Sequence, residues 1–114
     1  MLSGKSRERE VKMPKTQVTV LARCRAKRGM AESLRKEIMN LVAPTRGEAG
    51  CLNYDLHESQ EEEGLFVLYE NWVSKEALEE HLEKPHLVAF KEKAPELLEG
   101  PLDISLWEMV SAKP

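Results

Sequence analysis

The stretch YENWVSKEALEEHLEKPH, residues 69–86, brings together side chains that transfer protons or stack on planar rings. They are Tyr69, Glu70, Trp72, His81 and His86. Neutral imidazole serves as a general base near neutral pH, because its unperturbed pKa is about 6.5. A carboxylate among apolar residues is costly unless it is paired or takes part in acid–base chemistry. The residue types therefore indicate a pocket in which a proton moves beside an aromatic ring.

His81 is the predicted general base. It follows Ala77 and Leu78 in a predicted helix, at the spacing of one helical face, so we expect it to point toward the core. The alternative is a buried histidine that only packs and forms hydrogen bonds.

Glu70 and Trp72 share one face of a predicted strand. Trp72 could form a wall on which a planar substrate stacks, or it could be a core residue with its indole N–H hydrogen-bonded. Glu70 could transfer protons, but the interpretation that we favour is an ion pair with Arg23 or Arg25 of the neighbouring first strand. Together with His81, these two residues form the predicted catalytic set.

Further residues are expected to contact a substrate. Asn53 lies on the polar side of a strand, where it could orient a substrate or be solvated. His86 falls in the first turn of a helix, and Phe90 lies four residues later on the same side. The predicted substrate-binding residues are Arg23, Asn53, Phe66, Leu68, His86 and Phe90.

No metal site is predicted. Pro85 interrupts the five-residue spacing between His81 and His86, so we do not expect both to reach one ion. No third ligand is evident, and the sequence contains neither a Cys/His zinc spacing nor a glycine-rich phosphate loop.

The hydrophobic pattern predicts the elements that position these residues. Alternating residues indicate strands at 16–26, 51–58, 65–72 and 102–110. A helix with apolar residues from Met30 to Val42 is expected to end before Pro44, with a loop at 43–50. Ser74 is expected to cap a second helix that runs through Leu82. Pro85 then begins another helical piece, bent near Pro95.

The order of elements is βαββαβ, which predicts an α+β, ferredoxin-like fold with a four-stranded antiparallel sheet and helices on one face. In this topology the third strand separates the first from the second. Cys24 and Cys51 are then too far apart to form a disulfide. Two unpaired cysteines are typical of a reducing compartment.

The third predicted strand begins with apolar residues on both of its faces, Leu65 and Val67 on one and Phe66 and Leu68 on the other. A strand of this kind needs cover on both sides, and the helices supply only one. We therefore expect a homodimer in which two sheets pack together, with Tyr69 at the interface.

Length and charge limit the remaining possibilities. The 114 residues suffice for one domain, expected at 16–111 between a flexible basic extension at 1–15 and a short tail at 112–114. Met13 is an alternative start. The first fifteen residues carry a formal charge of +3 and the whole chain −3, so the body is acidic and nucleic acid is not the expected partner. No segment has the pattern of a signal peptide or a membrane span, and we expect a cytoplasmic protein.

Three segments in order resemble one protein family. They are VTVLARCRAKRG, TRGEAGCLNYDL and LYENWVSKEALEEHLEKPHLVAF. The last two contain the more specific motifs, Thr-Arg-x-Glu-x-Gly-Cys-x-x-Tyr and Tyr-Glu-x-Trp followed by Ala-Leu-x-x-His and Pro-His. Over residues 17–111 the chain resembles the antibiotic biosynthesis monooxygenase (ABM) family, and within it the small quinol monooxygenases.

This resemblance implies a dimeric α+β barrel with a pocket between the sheet and the helices of each subunit. Several members of the family oxygenate phenols or quinols with O2 and use no metal or flavin. The family also includes haem-degrading enzymes, which use an Asn on the first strand. This chain has Arg23 near that position, a departure that counts against haem chemistry.

The expected function is that of a homodimeric, cofactor-independent monooxygenase acting on a small aromatic quinol or phenol with O2. Two alternatives remain open. One is an isomerase of a small oxo compound, of the type that processes an autoinducer, and the other is a non-catalytic dimer that binds a small ligand.

Overall fold

The computed structural model of the chain describes residues 16–111. Within this range, four strands and three helices have the bounds β1 Val18–Arg25, α1 Ala31–Arg46, β2 Cys51–Glu58, β3 Leu65–Trp72, α2 Lys75–Leu82, α3 Pro85–Leu97 and β4 Asp103–Trp107. The expected extension at 1–15 and tail at 112–114 lie outside the described residues.

The strands form one antiparallel sheet in the order β2-β3-β1-β4. This order confirms the predicted ferredoxin-like arrangement, in which β3 separates β1 from β2. Cys24 on β1 and Cys51 on β2 are both free thiols. All four strands lie within or on the predicted segments, although β4 ends at Trp107 rather than at residue 110.

Helices cover one face of the sheet, which we call the inner face. Antiparallel register places Val20 opposite Glu70 and Ala22 opposite Leu68 on this face. Its buried residues on the two central strands are Val20, Ala22, Cys24, Phe66, Leu68, Glu70 and Trp72. Opposite them is the outer face, whose residues on the same strands include Thr19, Leu21, Arg23, Val67 and Tyr69. The core therefore lies between the inner face and the helices.

Helix α1 is longer than its hydrophobic pattern predicts. It continues through Pro44 and ends at Arg46, so the expectation that it stops before the proline is wrong. A proline in the last turn removes only one N–H from the helix, and the fully buried Thr45 anchors that turn by packing. The Gly47 N–H then donates to the carbonyl groups of Ala43 and Pro44. Glu48 is the next residue after Gly47, so the position at which α1 ends determines where the Glu48 carboxylate lies.

Strand β2 departs from simple alternation at its start. A register shift between Cys51 and Asn53 leaves Leu52 without a partner on β3. Leu52 is 54% exposed, whereas Tyr54 is 1% exposed. Simple alternation would place Leu52 and Tyr54 on one face of the strand, and it fails here because a bulge turns one residue out of the ladder.

The two helices that follow β3 begin as predicted. The Ser74 side chain accepts a hydrogen bond from the Ala77 N–H and caps α2, and Pro85 is in the first turn of α3. Only Glu83 and Lys84 separate the two helices. Within residues 16–111, no helix combines the length and the hydrophobicity that a membrane-spanning segment requires.

Candidate active site

A cavity of about 200 Å³ lies between the inner face and the helices. Its walls are apolar apart from the Cys24 thiol and four other side chains, those of Tyr54, Glu70, His81 and Lys91. Lys91 is an exposed residue of α3, so the cavity approaches the surface beside it. The cavity therefore offers a small, largely water-poor space with few polar groups.

Glu70 and Trp72 are both buried and form a hydrogen-bonded pair. The Trp72 Nε1–H donates to Glu70 Oε1 at 2.9 Å. Burial raises the pKa of Glu70 to about 7, and the hydrogen bond from Trp72 opposes this rise by favouring the carboxylate. Glu70 therefore changes its protonation state near neutral pH, as a group that transfers protons requires.

The expected ion pair between Glu70 and an arginine of β1 is wrong. Strand alternation explains the error, because Arg23 lies opposite Val67 on the outer face, whereas Glu70 lies on the inner face. Arg25 instead pairs with Glu62. Glu70 is thus a buried carboxyl whose hydrogen-bond donor is an indole.

His81 lies at the centre of the site and is 2% exposed. Its ring centroid lies 4.5 Å from that of Trp72, and it packs edge-on against Tyr54 at 5.5 Å. Burial lowers the pKa of His81, whereas Glu48 acts in the opposite direction. Burial is the larger of the two effects, so the folded protein favours the neutral form of the imidazole.

One ring nitrogen of His81 is held by a carboxylate and the other is not. His81 Nδ1 lies 2.9 Å from Glu48 Oε2, so in the neutral ring we assign the proton to Nδ1, which donates to the carboxylate. Within residues 16–111, Nε2 has no hydrogen-bond partner. Since His81 lines the cavity, Nε2 is the nitrogen available to a molecule bound there.

Glu48 also contacts a second imidazole. His86 Nε2 lies 2.8 Å from Glu48 Oε2, the same oxygen that His81 approaches. The expectation that the two histidines cannot reach one point and lack a third partner is wrong. The short connection between α2 and α3 brings His86 back toward His81, and the carboxylate comes from the segment after α1. The three side chains have the donor types of a divalent-metal site, with ligand atoms within 4.8 Å of one another.

The structure brings together some of the predicted site residues and separates others. Glu70, His81, Leu68 and Phe90 line the cavity. Trp72 and Phe66 are buried on the inner face, and Trp72 acts through its contacts with Glu70 and His81.

Arg23 and Asn53 lie away from the cavity. Arg23 is exposed on the outer face, and Asn53 bonds there to Asn71 and Asp55. The geometry does not place these two residues in contact with a molecule in the cavity, because strand alternation directs them to the opposite side of the sheet.

Sequence reasoning missed two members of the site, Glu48 and Tyr54. Both belong to the Thr-Arg-x-Glu-x-Gly-Cys-x-x-Tyr segment, one of the motifs on which the family resemblance rests. That motif is the sequence signal that could have identified them as site residues. Alternation identifies Tyr54 only as an apolar strand position. Burial raises the pKa of its hydroxyl, which remains an O–H donor at neutral pH.

Comparison with known proteins identifies one family and several relatives that this chain resembles. Residues 17–93 match the family described as Antibiotic biosynthesis monooxygenase. A Mycobacterium tuberculosis protein named "Putative monooxygenase Rv0793" is 36% identical over 89 residues, which are 78% of this chain and 87% of that protein. "Putative monooxygenase YcnE" of Bacillus subtilis is 38% identical over 78 residues, 68% of this chain and 82% of that protein.

Solved structures show the same fold. The crystal structure of PA3566 from Pseudomonas aeruginosa superimposes with a TM-score of 0.81 at 37% identity and covers 86% of this chain and 98% of that one. The structure of Rv0793 also gives a TM-score of 0.81, at 32% identity, and covers 87% of this chain and all of that one.

Proposed function

Because this chain belongs to the antibiotic biosynthesis monooxygenase family, we propose that it oxidises a small aromatic quinol or phenol with O2 and that the oxidation needs no cofactor. The observation that carries the proposal is the buried His81, which lines an apolar cavity while Glu48 holds its Nδ1. An oxygenase of this kind needs a base, hydrogen-bond donors for an anion and a space with little water. The cavity and its lining residues meet all three needs.

Deprotonation of the substrate is the first step. His81 Nε2 accepts the proton of the aromatic hydroxyl, and the Glu48 carboxylate stabilises the imidazolium that forms, since it accepts the Nδ1–H. The resulting phenolate is richer in electrons than the phenol. The Tyr54 hydroxyl and the protonated form of Glu70 are donors on the same wall for the anion.

Reaction with oxygen follows from the charge of the phenolate. The phenolate passes one electron to O2, and the phenoxyl radical and superoxide combine at a ring carbon to form a C–O bond. The imidazolium returns its proton to the peroxide. Cleavage of the O–O bond, with loss of the proton from that ring carbon, leaves a carbonyl group and releases water. The atoms balance as a hydroxyarene plus O2 giving a quinone plus H2O.

The size of the cavity limits the substrate. Its volume of about 200 Å³ is below the range of about 300–1,000 Å³ that is typical of ligand pockets. The walls beside Leu68 and Phe90 are apolar, which favours a flat hydrocarbon skeleton. A substrate of one or two fused rings with a hydroxyl group directed at His81 fits these properties best.

A second candidate is an isomerase of a small oxo compound. It is favoured by the presence of two proton-transfer groups, Glu70 and His81, on the walls of one cavity. One group could remove a proton from carbon while the other supplies a proton elsewhere, with no use of O2.

We also propose that the chain forms a homodimer through the outer face of the sheet. No helix of the described chain covers this face, on which Tyr69 is 43% exposed and Trp107 56% exposed. Leu21 lies opposite Tyr69 on β1, and Val67 lies two residues before Tyr69 on β3. Large apolar side chains on an uncovered sheet face are typical of an interface.

Oxygen consumption by chelator-treated protein with a panel of one- and two-ring phenols and quinols tests the proposed reaction. We expect O2 uptake with matching quinone formation for at least one compound, and a loss of about 100-fold or more in kcat for His81→Ala, as for removal of a general base. His57→Ala is the matched control, since His57 is an exposed histidine outside the cavity, and its rate should equal that of the wild type. Background O2 uptake throughout, with a ligand that still raises the melting temperature, would overturn the oxygenase proposal in favour of a non-oxidative role.

A further inference from the structure

Glu48, His81 and His86 meet at one point although they come from three separate segments. Glu48 follows α1, His81 lies near the end of α2 and His86 lies at the start of α3. We propose that these three side chains form a binding site for a divalent first-row transition-metal ion such as Zn²⁺. The site shares His81 with the substrate cavity, whereas Glu48 and His86 do not line the cavity walls.

The distances within the cluster are close to those between ligands of one ion. Glu48 Oε2 lies 2.9 Å from His81 Nδ1 and 2.8 Å from His86 Nε2. Two ligands that are each about 2.1 Å from an ion lie about 3.0 Å apart at a right angle and about 3.4 Å apart at the tetrahedral angle. All three donor atoms lie within 4.8 Å of one another. An ion is therefore accommodated once the two imidazole nitrogens lie about 3.4 Å apart, which places all three donor atoms around it.

The Glu48 carboxylate has one oxygen that contacts both histidines and one that is available to an ion. The Glu48 side chain is 8% exposed, and both of its hydrogen bonds go to the same oxygen, Oε2. Within residues 16–111, its Oε1 has no hydrogen-bond partner. Oε1 is therefore available as a further ligand atom for an ion bound between the two histidines.

The donor set selects the kind of ion. Two imidazole nitrogens and one carboxylate oxygen suit Zn²⁺, Co²⁺ and similar ions, whereas Mg²⁺ and Ca²⁺ prefer oxygen ligands. Three protein ligands leave at least one coordination position for water. The His86 side chain is 22% exposed, so an ion and its water can enter from this side.

Metal binding changes which nitrogens carry protons. The ion takes the lone pair of His81 Nδ1 and of His86 Nε2, so each neutral ring moves its proton to the other nitrogen. His81 Nε2, which is available to the cavity, then carries a proton and no longer accepts one. This consequence rests on the proposed function, and it predicts that the ion inhibits the oxidation.

Calorimetric titration of tag-free, chelator-treated protein with ZnCl₂ tests the site. We expect one Zn²⁺ per chain, no comparable binding of Mg²⁺, and visible absorption bands when Co²⁺ is used. His86→Ala and Glu48→Gln should each weaken Zn²⁺ binding by at least about 10-fold, as is typical when a metal site is disturbed. His57→Ala is the control, because it removes the third histidine of the chain from an exposed position outside the cluster.

Two results would overturn the metal site. One is Zn²⁺ binding no tighter than Mg²⁺ binding in the wild type, and the other is equal Zn²⁺ affinity in the wild type, His86→Ala and Glu48→Gln. The activity measurement is separate. Zn²⁺ that binds as expected to a protein without oxygenase activity supports the site and contradicts the proposed function. An active protein that binds Zn²⁺ and is not inhibited by it contradicts the predicted inhibition alone.

Discussion

Glu70 shows how one buried residue connects the fold with its chemistry. Its carboxyl lies on the inner face opposite Val20, and its one hydrogen-bond donor within residues 16–111 is Trp72. Removal from water disfavours the charged form, while the indole N–H favours it. Burial is the larger effect. The native state therefore binds a proton on Glu70 more tightly than the unfolded chain does.

This linkage predicts a pH-dependent difference between the wild type and Glu70→Gln. The pKa rises from 4.5 to about 7 on folding, so the stabilising effect of protonated Glu70 is lost as the pH rises through this window. The glutamine side chain of the variant cannot ionise. We therefore expect the free energy of unfolding of the variant, relative to that of the wild type, to increase by up to about 3 kcal/mol between low pH and pH above 7. Urea unfolding of both proteins between pH 5 and 8 measures the difference.

His81 makes stability depend on pH in the opposite sense, and it does so equally in both proteins. Burial lowers the pKa of His81, so its contribution to the free energy of unfolding rises with pH. The difference between wild type and variant therefore isolates Glu70. Parallel unfolding free energies over the whole pH range would show that Glu70 is already charged in the native protein.

For individual residues, sequence reasoning succeeded where strand or helix periodicity determines the direction in which the side chain points. It placed Glu70 and Trp72 on one face and directed His81 inward. It failed for Glu48, since the position of a loop carboxylate depends on where α1 ends, and the helix includes Pro44. Glu48, His81 and His86 come from three separate segments that meet only in the folded chain. Hydrophobic periodicity within each segment therefore does not predict that they meet.

Packing between the α1–β2 connection and α2 positions the His81–Glu48 pair. Gly50 lies against α2 so closely that an added Cβ would come within 2.4 Å of the Ala77 Cβ and 3.2 Å of Val73 Cγ2. The Val73 N–H donates to the Gly50 carbonyl at 2.9 Å. A glycine here permits the close approach of two backbones, which holds α2 near Glu48.

We predict that Gly50→Ala lowers the free energy of unfolding by about 2 kcal/mol, the usual cost of overpacking, and lowers the oxidation rate by displacing α2. Gly47→Ala is the matched control. Its nearest neighbour would be the Pro44 carbonyl oxygen at 3.5 Å, an ordinary contact, so little change is expected. Chemical unfolding and O2 uptake measure both effects, and equal stability of the two variants would contradict the packing interpretation.

The elements themselves were largely predictable. Alternation and helical spacing predicted all four strands, their order and the start of each helix after β3. Two of the departures, the longer α1 and the bulge at Leu52, have local physical causes, since the proline lies in the last turn of the helix and a bulge interrupts the ladder. Such local irregularities depend on contacts that periodicity does not encode.

The proposed dimer places the outer faces of two sheets together. Sedimentation equilibrium at micromolar concentration should show a dimer, and Tyr69→Asp should shift it toward monomer by placing a charge in the interface. Val88→Asp is the control, since Val88 lies on α3 and is 43% exposed, as is Tyr69. A wild-type monomer, or equal dissociation in both variants, would contradict the proposed interface.

The most direct test of the proposed monooxygenase is the fate of the oxygen atoms. Metal-free protein and a substrate found by O2 uptake are incubated under ¹⁸O₂, and the quinone is analysed by mass spectrometry, with a parallel reaction in H₂¹⁸O to correct for carbonyl exchange. We predict that each quinone formed by the wild type contains one ¹⁸O atom. The amount of labelled quinone formed by His81→Ala should not exceed background. An unlabelled quinone accompanied by hydrogen peroxide would contradict the proposal, because O2 would then accept electrons without forming a bond to the substrate.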